Sequence, residues 1–569
     1  MTGRGLAFLV AVCSAAALLA SCTMSGALLR TSAGNALRRN SVAPRTGLLP
    51  RRISGVSSAS RNPHSHRLSR SLRARCSTAA AVTMELTSDV LKTAEDYPML
   101  IDGKLRQGSA GASPVVNPAT EQPFACAPSA GMDDLNDAVA AAKRAFPSWS
   151  KLGYDAKVAY LEKFAEEVKK DAESIATLLT KEQGKPFASA LGEVKASADR
   201  IATVSALGPL EPEVLHEDEK TRTEVHRVPR GVVAAITPWN FPVLIAASKA
   251  ASALLSGNTV VVKPSPFTPL STLALGKAAE RAGLPAGVLN IVAGGDELGK
   301  ALAEHEDVRH ISFTGSVATG KKVMATAAAG LKRVTLELGG NDAAIVLDDV
   351  DIEPASRKIF QASMANTGQV CTAIKRLYVH EKVFDPLVDA LVTHAKNARV
   401  GDGLTKGITH GPLNNKMQYD IVTGLLEDAK EQGAKVLCGG SAPEGPGYFF
   451  PPTLVTGVKE GVRLVDEEQF GPVLPVIPFT DVDDAVARAN ASPFGLGGSV
   501  WTTDPEKGAE IASRLETGVT WVNAHITGDF AGKPPPFGGA KMSGIGREHG
   551  RAGLEEYTDL KTIRVAKKL

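Results

Sequence analysis

Cys371 is the residue with the clearest capacity for chemistry in this sequence. It lies in a turn-prone stretch, residues 366–372, which reads Asn-Thr-Gly-Gln-Val-Cys-Thr. A single cysteine is most often a small buried hydrophobe, but as a thiolate it is a strong nucleophile. Two further segments, 236–241 and 337–341, end predicted strands, and strand carboxyl ends form the ligand crevice of open α/β folds. The sequence therefore predicts that the three segments meet at one site.

Glu337 and Asn240 are the polar residues that these two segments would bring to the cysteine. Glu337 stands between Leu336 and Leu338 in an apolar strand, where burying a carboxylate without a partner or a role is costly. Asn240 follows a strand and precedes a helical pattern, so it could cap that helix as well as donate from its amide. The pattern predicts a carboxylate and an amide donor beside a nucleophile.

Short β-branched runs alternate with helical patterns in the part of the chain that must position these residues. We predict strands at 232–236, 259–262, 288–292, 310–314 and 334–338, separated by helices that include 242–255, 269–282 and 316–329. Apolar residues at helical spacing predict two earlier helices, at 133–146 and 155–179. Continuously apolar strands with helices between them indicate a parallel sheet covered on both faces. The predicted fold class is α/β, with a doubly wound nucleotide-binding sheet.

A second α/β series follows the first. Its predicted helices lie near 383–396, 417–432 and 481–490, and its predicted strands near 376–379, 473–479 and 519–522. Residues 211–227 are strongly charged and alternate like an exposed hairpin, and residues 561–566 also read as a strand. These two segments suit pairing across a subunit interface.

A strand-to-helix turn in the first series could hold a phosphate. Gly315 and Gly320 bracket Ser316, so backbone amides and a helix N-terminus could meet a pyrophosphate there. The chain has no G-x-G-x-x-G, which argues against an ordinary dinucleotide fingerprint. Eleven histidines show no metal-ligand spacing, and no C-x-x-C pair occurs, so we predict no metal site.

Several separated motifs, in the expected order, resemble the NAD(P)-dependent aldehyde dehydrogenase superfamily from about residue 97 to the C-terminus. The motifs are Thr237-Pro238-Trp239-Asn240, Val262-Lys263-Pro264-Ser265, Ser312-Phe313-Thr314-Gly315-Ser316, Glu337-Leu338-Gly339-Gly340, Gly368-Gln369-Val370-Cys371, Glu468-Gln469-Phe470-Gly471-Pro472, Pro536-Phe537-Gly538-Gly539 and Ser543-Gly544. The resemblance implies the aldehyde dehydrogenase fold and a homodimer or homotetramer. It implies an NAD(P)-binding domain over 85–211 and 229–336, a catalytic domain over 337–545, and oligomerisation segments at 212–228 and 546–569.

The resemblance also implies the role of each catalytic residue. Cys371 would attack the carbonyl of a small-molecule aldehyde, and the Asn240 amide with the Cys371 backbone N–H would stabilise the oxyanion. Glu337 would then act as general base on the water that hydrolyses the thioester. The product would be a carboxylic acid.

A second set of residues is expected to bind the cofactor, NAD or NADP. Lys263 would reach the adenosine ribose, Glu468 the nicotinamide ribose and Phe470 the nicotinamide region. The remaining members of the predicted set are Trp239, Ser265, Pro266, Gly299, Gly315 and Ser316. NAD-preferring relatives typically carry a Glu where this chain has Pro266, so we expect NADP to be accepted at least comparably with NAD.

The substrate and the exact reaction class stay open at this point. Succinate-semialdehyde relatives commonly carry an Arg and a second Cys where this chain has Ala365 and Ala373, and that specificity remains an alternative. A Cys hydrolase or acyltransferase would leave Lys263 and the glycine turn unexplained. A CoA-acylating dehydrogenase would typically lack a base like Glu337. A catalytically silent protein on this fold is opposed by the intact Cys371, Glu337 and Asn240.

Composition separates a basic leader from an acidic body. Residues 1–84 hold twelve Arg and no Lys, Asp or Glu, while the remaining 52 Lys and Arg face 61 acids. The body is therefore about 9 charges negative, which opposes nucleic-acid binding, and we expect no membrane association of the mature form. Residues 1–22 resemble a secretory signal and residues 23–84 a transit peptide. Together they predict an organellar enzyme, with a plastid favoured over a mitochondrion and a bacterial lipoprotein ranked last.

Overall fold

The computed structural model describes residues 96–526 and 534–568, all of which belong to the unit Val82–Leu569. The leader predicted over residues 1–84 lies outside the described residues. Within the described part of the chain, no helix combines the length and the apolar character needed to cross a membrane.

An eight-stranded sheet organises the first half of the body. Its strands, in spatial order, are Lys104–Arg106, Met99–Ile101, Leu289–Ile291, Thr259–Lys263, Val232–Ile236, Val308–Thr314, Arg333–Glu337 and Gly544–Ile545. The five strands from Leu289–Ile291 to Arg333–Glu337 run parallel, as the sequence predicts. Residue Ile236 pairs with Lys263, and Thr314 pairs with Glu337, so these strands end at the same edge. That edge carries the predicted site.

Helices pack on both faces of this sheet. They are Met132–Lys151, Tyr154–Lys170, Ala172–Gln183, Phe187–Thr203, Pro242–Leu255, Leu270–Arg281, Asp296–Glu304 and Val317–Ala329. Apolar strands need this cover: every residue of Thr259–Lys263 is buried. The single helix predicted over 155–179 is wrong in one respect, because the chain breaks at Asp171 into two helices. Arg281 pairs with Glu167 and Asp171, which stabilises the junction from outside.

A seven-stranded sheet organises the second half. In spatial order its strands are Lys435–Cys438, Thr453–Thr456, Val473–Phe479, Ile374–His380, Asp342–Val346, Gly497–Trp501 and Val519–Val522. The helices around it are Ile352–Met364, Phe384–Lys396, Lys416–Glu431, Arg463–Asp466, Val482–Asn490 and Pro505–Ser513. Only residues 338–341 separate the last parallel strand of the first sheet from the strand Asp342–Val346. The predicted site segment 337–341 is therefore the crossing between the two sheets.

A three-stranded sheet contains both segments that were expected to pair across an interface. The strands Glu213–Glu217, Thr221–Pro229 and Thr558–Ala566 pair antiparallel within one chain, with Thr558 opposite Pro229 and Ala566 opposite Thr221. The two segments therefore pair with each other within one subunit.

The terminal segment 546–569 contains more than the last strand. A short helix, Gly550–Glu555, precedes the last strand, and Leu554 and Tyr557 are buried in the core of the first sheet. Their burial assigns residues 550–557 to that core, and the three-stranded sheet gains the chain from Thr558 onward. Two-stranded pairs, Ala112–Asn117 with Gln122–Pro128 and Phe494–Gly495 with Ala540–Lys541, complete the strands.

Candidate active site

The Cys371 loop has an unusual backbone just before the cysteine. Asn366, Thr367 and Gly368 all have positive φ, at 49°, 56° and 72°. The first two lack glycine's freedom, so this conformation costs free energy and needs support from neighbours. Support comes from the Thr367 hydroxyl, which donates to the Gly411 carbonyl at 3.0 Å, and from close packing, since a Cβ on Gly368 would lie 2.2 Å from the Gly471 carbonyl oxygen. The turn that presents Cys371 is thus fixed by its surroundings.

The structure brings the three predicted segments together around this loop. The Asn240 side-chain Nδ2 donates to the Gln369 carbonyl at 3.1 Å. From the other side, a Cβ on Gly340 would lie 2.5 Å from the Cys371 carbonyl oxygen. Segments 236–241 and 337–341 therefore both touch the cysteine loop.

Asn240 does not cap the helix that follows it, contrary to one expectation. The helix Pro242–Leu255 begins after Phe241, and no side chain caps it at that residue. A carboxylate from another helix takes that place: Glu193 Oε1 accepts from the backbone N–H of Val243 at 3.1 Å and of Leu244 at 3.2 Å. The Asn240 amide therefore does not bind the helix end and instead donates to the cysteine loop.

Lys185 and Glu193 form a buried ion pair that sequence reasoning missed. Their side chains are 1% and 2% exposed, and Lys185 Nζ lies 2.5 Å from Glu193 Oε2. Lys185 also donates to the Asn240 carbonyl at 2.8 Å, and Asn366 Nδ2 donates to the same oxygen at 3.2 Å. In the sequence Lys185 carries no motif that would single it out. Its partner, Glu193, lies in the helix Phe187–Thr203, which was not predicted.

Glu337 is buried at the end of its strand with a free carboxylate. Its residue exposure is 4%, and neither carboxylate oxygen has a hydrogen-bond partner among the described residues. Burial, with the charge of Glu548, raises the pKa of Glu337 well above its usual value, while Lys249 and Arg547 oppose the rise. A buried carboxylate with free lone pairs and a raised pKa can accept a proton near neutral pH.

A second ion pair, between the buried Lys249 and the partly buried Glu548, supplies part of that charge environment. Lys249 Nζ contacts Glu548 Oε1 and donates to the Ser312 hydroxyl at 2.8 Å. The Tyr557 hydroxyl donates to Ser312 at 3.1 Å. The pair joins residues 299 positions apart, so no local sequence signal could have revealed it.

Carboxylates and one lysine surround the Cys371 thiol. Burial raises its pKa to about 12, and the carboxylates of Glu468, Glu337 and Asp342 act in the same direction. Lys375 opposes them. Burial and the three carboxylates therefore disfavour the thiolate, and Glu337 is one of the charges that act on the sulfur.

The predicted cofactor residues at the first sheet lie along one edge. Lys263 is 3% exposed, and its Nζ donates to the Pro264 carbonyl at 3.1 Å. Burial lowers the pKa of Lys263 to about 8, with Asp296 opposing. A Cβ on Gly299 would make an ordinary van der Waals contact with the lysine Cδ, at 3.4 Å, so Gly299 lies directly alongside the lysine stem.

The neighbouring residues differ in exposure. Ser265 is buried, and its hydroxyl accepts from the Phe267 N–H at 3.3 Å, whereas Pro266 is exposed. Ser316 caps the helix Val317–Ala329 through its hydroxyl, which accepts from the Thr319 N–H at 3.2 Å. Gly315 directly precedes it, and a Cβ there would meet the Phe313 ring at 2.5 Å. Gly315 therefore lets the Phe313 ring pack against the turn that precedes this helix.

The other predicted cofactor residues lie beside the cysteine loop. The Trp239 and Phe470 rings pack edge to face at 5.4 Å between centroids. Glu468 Oε1 accepts from the Gly340 N–H at 3.0 Å, and a Cβ on Gly339 would lie 2.1 Å from Glu468 Oε2. Gly340 is thus required by the close approach of the Cys371 backbone, and Gly339 lets the Glu468 carboxylate lie directly against the segment.

Comparison with known proteins agrees with the fold. The model of the aldehyde dehydrogenase family matches residues 106–563. A phenylacetaldehyde dehydrogenase of Pseudomonas fluorescens is 40% identical over 470 residues, covering 79% of this chain and 92% of that protein. The NADP(+) succinate-semialdehyde dehydrogenase GabD of Escherichia coli is 38% identical over 467 residues, covering 81% and 96%.

Solved structures give the same result. The NAD+ complex of an aldehyde dehydrogenase from Bacillus cereus superposes with a TM-score of 0.81 at 36% identity, covering 85% of this chain and 99% of that one. The chain belongs to the aldehyde dehydrogenase family and is an NAD(P)-dependent aldehyde dehydrogenase.

Proposed function

We propose that the enzyme oxidises an aldehyde to its carboxylic acid through a thioester on Cys371, which water hydrolyses with Glu337 as general base. The observation that carries this proposal is the Glu337 carboxylate, buried near the thiol with both oxygens free among the described residues. A buried carboxylate without hydrogen-bond partners destabilises the fold, but it is free to accept a proton in a reaction.

The first half of the reaction uses the cysteine loop. Cys371 Sγ, as thiolate, adds to the aldehyde carbonyl and leaves a negative oxygen that needs hydrogen-bond donors. The Asn240 amide and the Cys371 backbone N–H are the proposed donors, and Asn240 is held at the loop by Gln369. Each donor contributes about 3 kcal/mol to lowering the barrier.

The described residues fit a bound nicotinamide dinucleotide. The buried Lys263 ammonium beside Gly299 suits an adenosine ribose, the Gly315–Ser316 turn suits a pyrophosphate, and Glu468 with Phe470 suits the nicotinamide end. When bound, this group supplies the acceptor for the hydride that leaves the aldehyde carbon.

The second half of the reaction uses Glu337. The thioester carbonyl on Cys371 must be attacked by water, and Glu337 removes a proton from that water as it attacks. The Glu548 charge raises the pKa of Glu337, and the Lys249 and Arg547 charges lower it. This base favours hydrolysis over transfer of the acyl group to a thiol such as CoA.

The test is NAD(P)H production by the purified protein with aliphatic, aromatic and ω-carboxylic aldehydes, with acid product measured in parallel. We expect NAD(P)H and carboxylic acid in equal amounts, without a requirement for CoA. Reduction of the cofactor only when CoA is added, or ester hydrolysis without any aldehyde oxidation, would contradict the proposal. The same panel identifies the substrate class, including succinate semialdehyde.

We also propose that NADP is accepted at least comparably with NAD. Pro266 offers no side-chain acceptor for a ribose 2′-hydroxyl and no charge to repel a 2′-phosphate. The nearby Lys263 ammonium would attract a phosphate. Asp296, which raises the Lys263 pKa by its charge, is the acid in this region that could oppose this preference.

The leader and the assembly complete the proposal. The acid-free, Arg-rich residues 1–84 are proposed to direct the enzyme to an organelle, with a plastid favoured, and to be removed there. Sequencing the N-terminus of the native protein tests this, and a mature chain that begins at Met1 would contradict it. We propose a homodimer or homotetramer, which light scattering of the mature protein would establish.

A further inference from the structure

Lys375 is a buried cation that the proposed reaction does not yet use. It lies in the strand Ile374–His380, and its side chain is 2% exposed. Its Nζ donates to the Val370 carbonyl at 2.8 Å and to the Cys371 carbonyl at 2.7 Å. The same Nζ lies 3.3 Å from Glu468 Oε1. One ammonium group therefore contacts both the nucleophile loop and the carboxylate proposed to bind the nicotinamide ribose.

A lysine is costly to bury, so this placement requires compensation. Two carbonyls and one carboxylate supply it, and all three belong to the proposed active site. The Phe470 ring adds a weaker contact, with its centroid 5.8 Å from Nζ. Removing the ammonium would leave two carbonyls of the cysteine loop and one carboxylate without this partner.

We propose that Lys375 is a positioning residue that holds the Cys371 loop against Glu468 and places a fixed positive charge beside the Cys371 thiolate. The inference rests on the proposed function, in which Cys371 is the nucleophile. Lys375 acts through Cys371 and Glu468 and does not itself contact the aldehyde.

The charges near Cys371 fix the direction in which Lys375 changes the pKa of the thiol. Glu468, Glu337 and Asp342 disfavour the thiolate, and Lys375 favours it. His525 also approaches this region: its Nε2 lies 2.7 Å from the Thr372 carbonyl oxygen and 3.5 Å from Asp342 Oδ2. Lys375 is the cation that offsets the carboxylates at the sulfur, and it also pairs directly with one of them.

The test is the rate of alkylation of Cys371 by iodoacetamide as a function of pH, in the full chain without cofactor. Peptide mass spectrometry isolates the signal of Cys371 from those of the other cysteines. Because only the thiolate reacts, the rate below the pKa is proportional to the thiolate fraction. We compare the wild type with Lys375→Met and with Glu468→Gln.

The two variants should move the reaction in opposite directions. Lys375→Met should slow alkylation roughly tenfold at a given pH, equivalent to a rise of about one unit in the thiol pKa. Glu468→Gln should accelerate it, since a carboxylate that disfavours the thiolate is removed. Arg376→Met is the matched control: Arg376 is also buried, but it donates to the Asn341 and Ala489 carbonyls, and its loss should leave the alkylation profile unchanged.

Equal alkylation of Lys375→Met and wild type, or displacement of both variants in the same direction, would overturn the proposal. If Lys375→Met does not fold, Glu468→Gln alone decides, because an unchanged or slower rate there contradicts the inferred charge balance. A second readout is kcat/KM for aldehyde, which should fall about tenfold in Lys375→Met and recover as pH rises. Alkylation needs neither aldehyde nor cofactor, so failure of the proposed oxidation would be seen separately.

Discussion

Three lysine–glutamate pairs lie at the active site, and two of them differ in what they do to a nearby carboxylate. Lys249 pairs with Glu548 near Glu337, and Lys375 pairs with Glu468 beside Cys371. Glu337 itself has no hydrogen-bond partner among the described residues, whereas Glu468 accepts from the Gly340 N–H and contacts Lys375. Glu337, the proposed base, thus has free lone pairs that can accept a proton. Glu468, the proposed ribose ligand, is instead fixed in place by the Gly340 N–H and Lys375.

The pKa shifts follow the same division. Burial raises the pKa of both Glu337 and Glu468. At Glu468 the Lys375 charge and the Gly340 N–H oppose the rise, and the Asp342 charge adds to it. At Glu337 the Glu548 charge adds to the rise, and the Lys249 and Arg547 charges oppose it. The difference is that hydrogen bonds help to keep Glu468 ionised, whereas Glu337 has no hydrogen-bond partner among the described residues. The region around Glu337 is therefore suited to proton transfer, and the region around Cys371 to positioning and charge balance.

The largest effect should come from removing the nucleophile. Cys371→Ala should lower aldehyde oxidation roughly 10⁴-fold or more, because no neighbouring group can replace the thiolate. Cofactor binding, measured by fluorescence titration, should persist because the Lys263 and Ser316 regions are untouched. Appreciable turnover in this variant would show that Cys371 is not the nucleophile.

Glu337→Gln should slow hydrolysis of the thioester without slowing the hydride transfer that precedes it. The amide introduced by this substitution cannot accept the proton of water, so steady-state turnover should fall roughly 10²- to 10³-fold while the first burst of NAD(P)H remains. Stopped-flow absorbance at 340 nm resolves the two phases, with wild type as the control. A variant that loses the burst yet hydrolyses a preformed acyl-enzyme normally would mean that Glu337 acts before hydride transfer and not in hydrolysis.

Glu548→Gln should change the pH dependence of hydrolysis. Because the Glu548 charge raises the pKa of Glu337, its removal lowers that pKa and keeps the base ionised at more acid pH. The acid limb of the kcat profile should therefore move down by about one pH unit. A limb that moves up, or stays in place, would mean that Glu548 does not act on the hydrolytic base.

Pro266→Glu should have the smallest effect on the chemistry, because Pro266 lies outside both regions. We expect kcat with NAD to change little and the ratio of kcat/KM values to shift toward NAD by roughly tenfold, since the new carboxylate repels a 2′-phosphate. A wild type that already prefers NAD by about a hundredfold would refute the expected acceptance of NADP. An unchanged ratio in the variant would remove Pro266 as its determinant.

The sequence predicted the first sheet well because its strands carry strong local signals. The run Val232–Ile236 and its neighbours are continuously apolar and β-branched, which is typical of buried parallel strands. The strands Asp342–Val346 and Gly497–Trp501 were missed. Their alanines and glycines have low β-propensity, so tertiary packing determines their conformation.

The site divides in the same way. Cys371, Asn240 and Glu337 carry motifs, and the structure brings their segments together as predicted. Lys185, Lys249 and Lys375 carry no motif, because their importance depends on which distant carboxylate or carbonyl the fold places beside them. Glu548 meets Lys249 from 299 positions away, which only the folded chain reveals.

The central claim is that Cys371 carries the acyl group and Glu337 releases it, and intact-protein mass spectrometry tests this most directly. Glu337→Gln is mixed with an accepted aldehyde and NAD(P)+, quenched in acid and weighed. The account predicts an added acyl mass that maps to Cys371 and is absent from Cys371→Ala and from samples without cofactor. A Glu337→Gln protein that produces NAD(P)H but never carries an acyl group on Cys371 would contradict it.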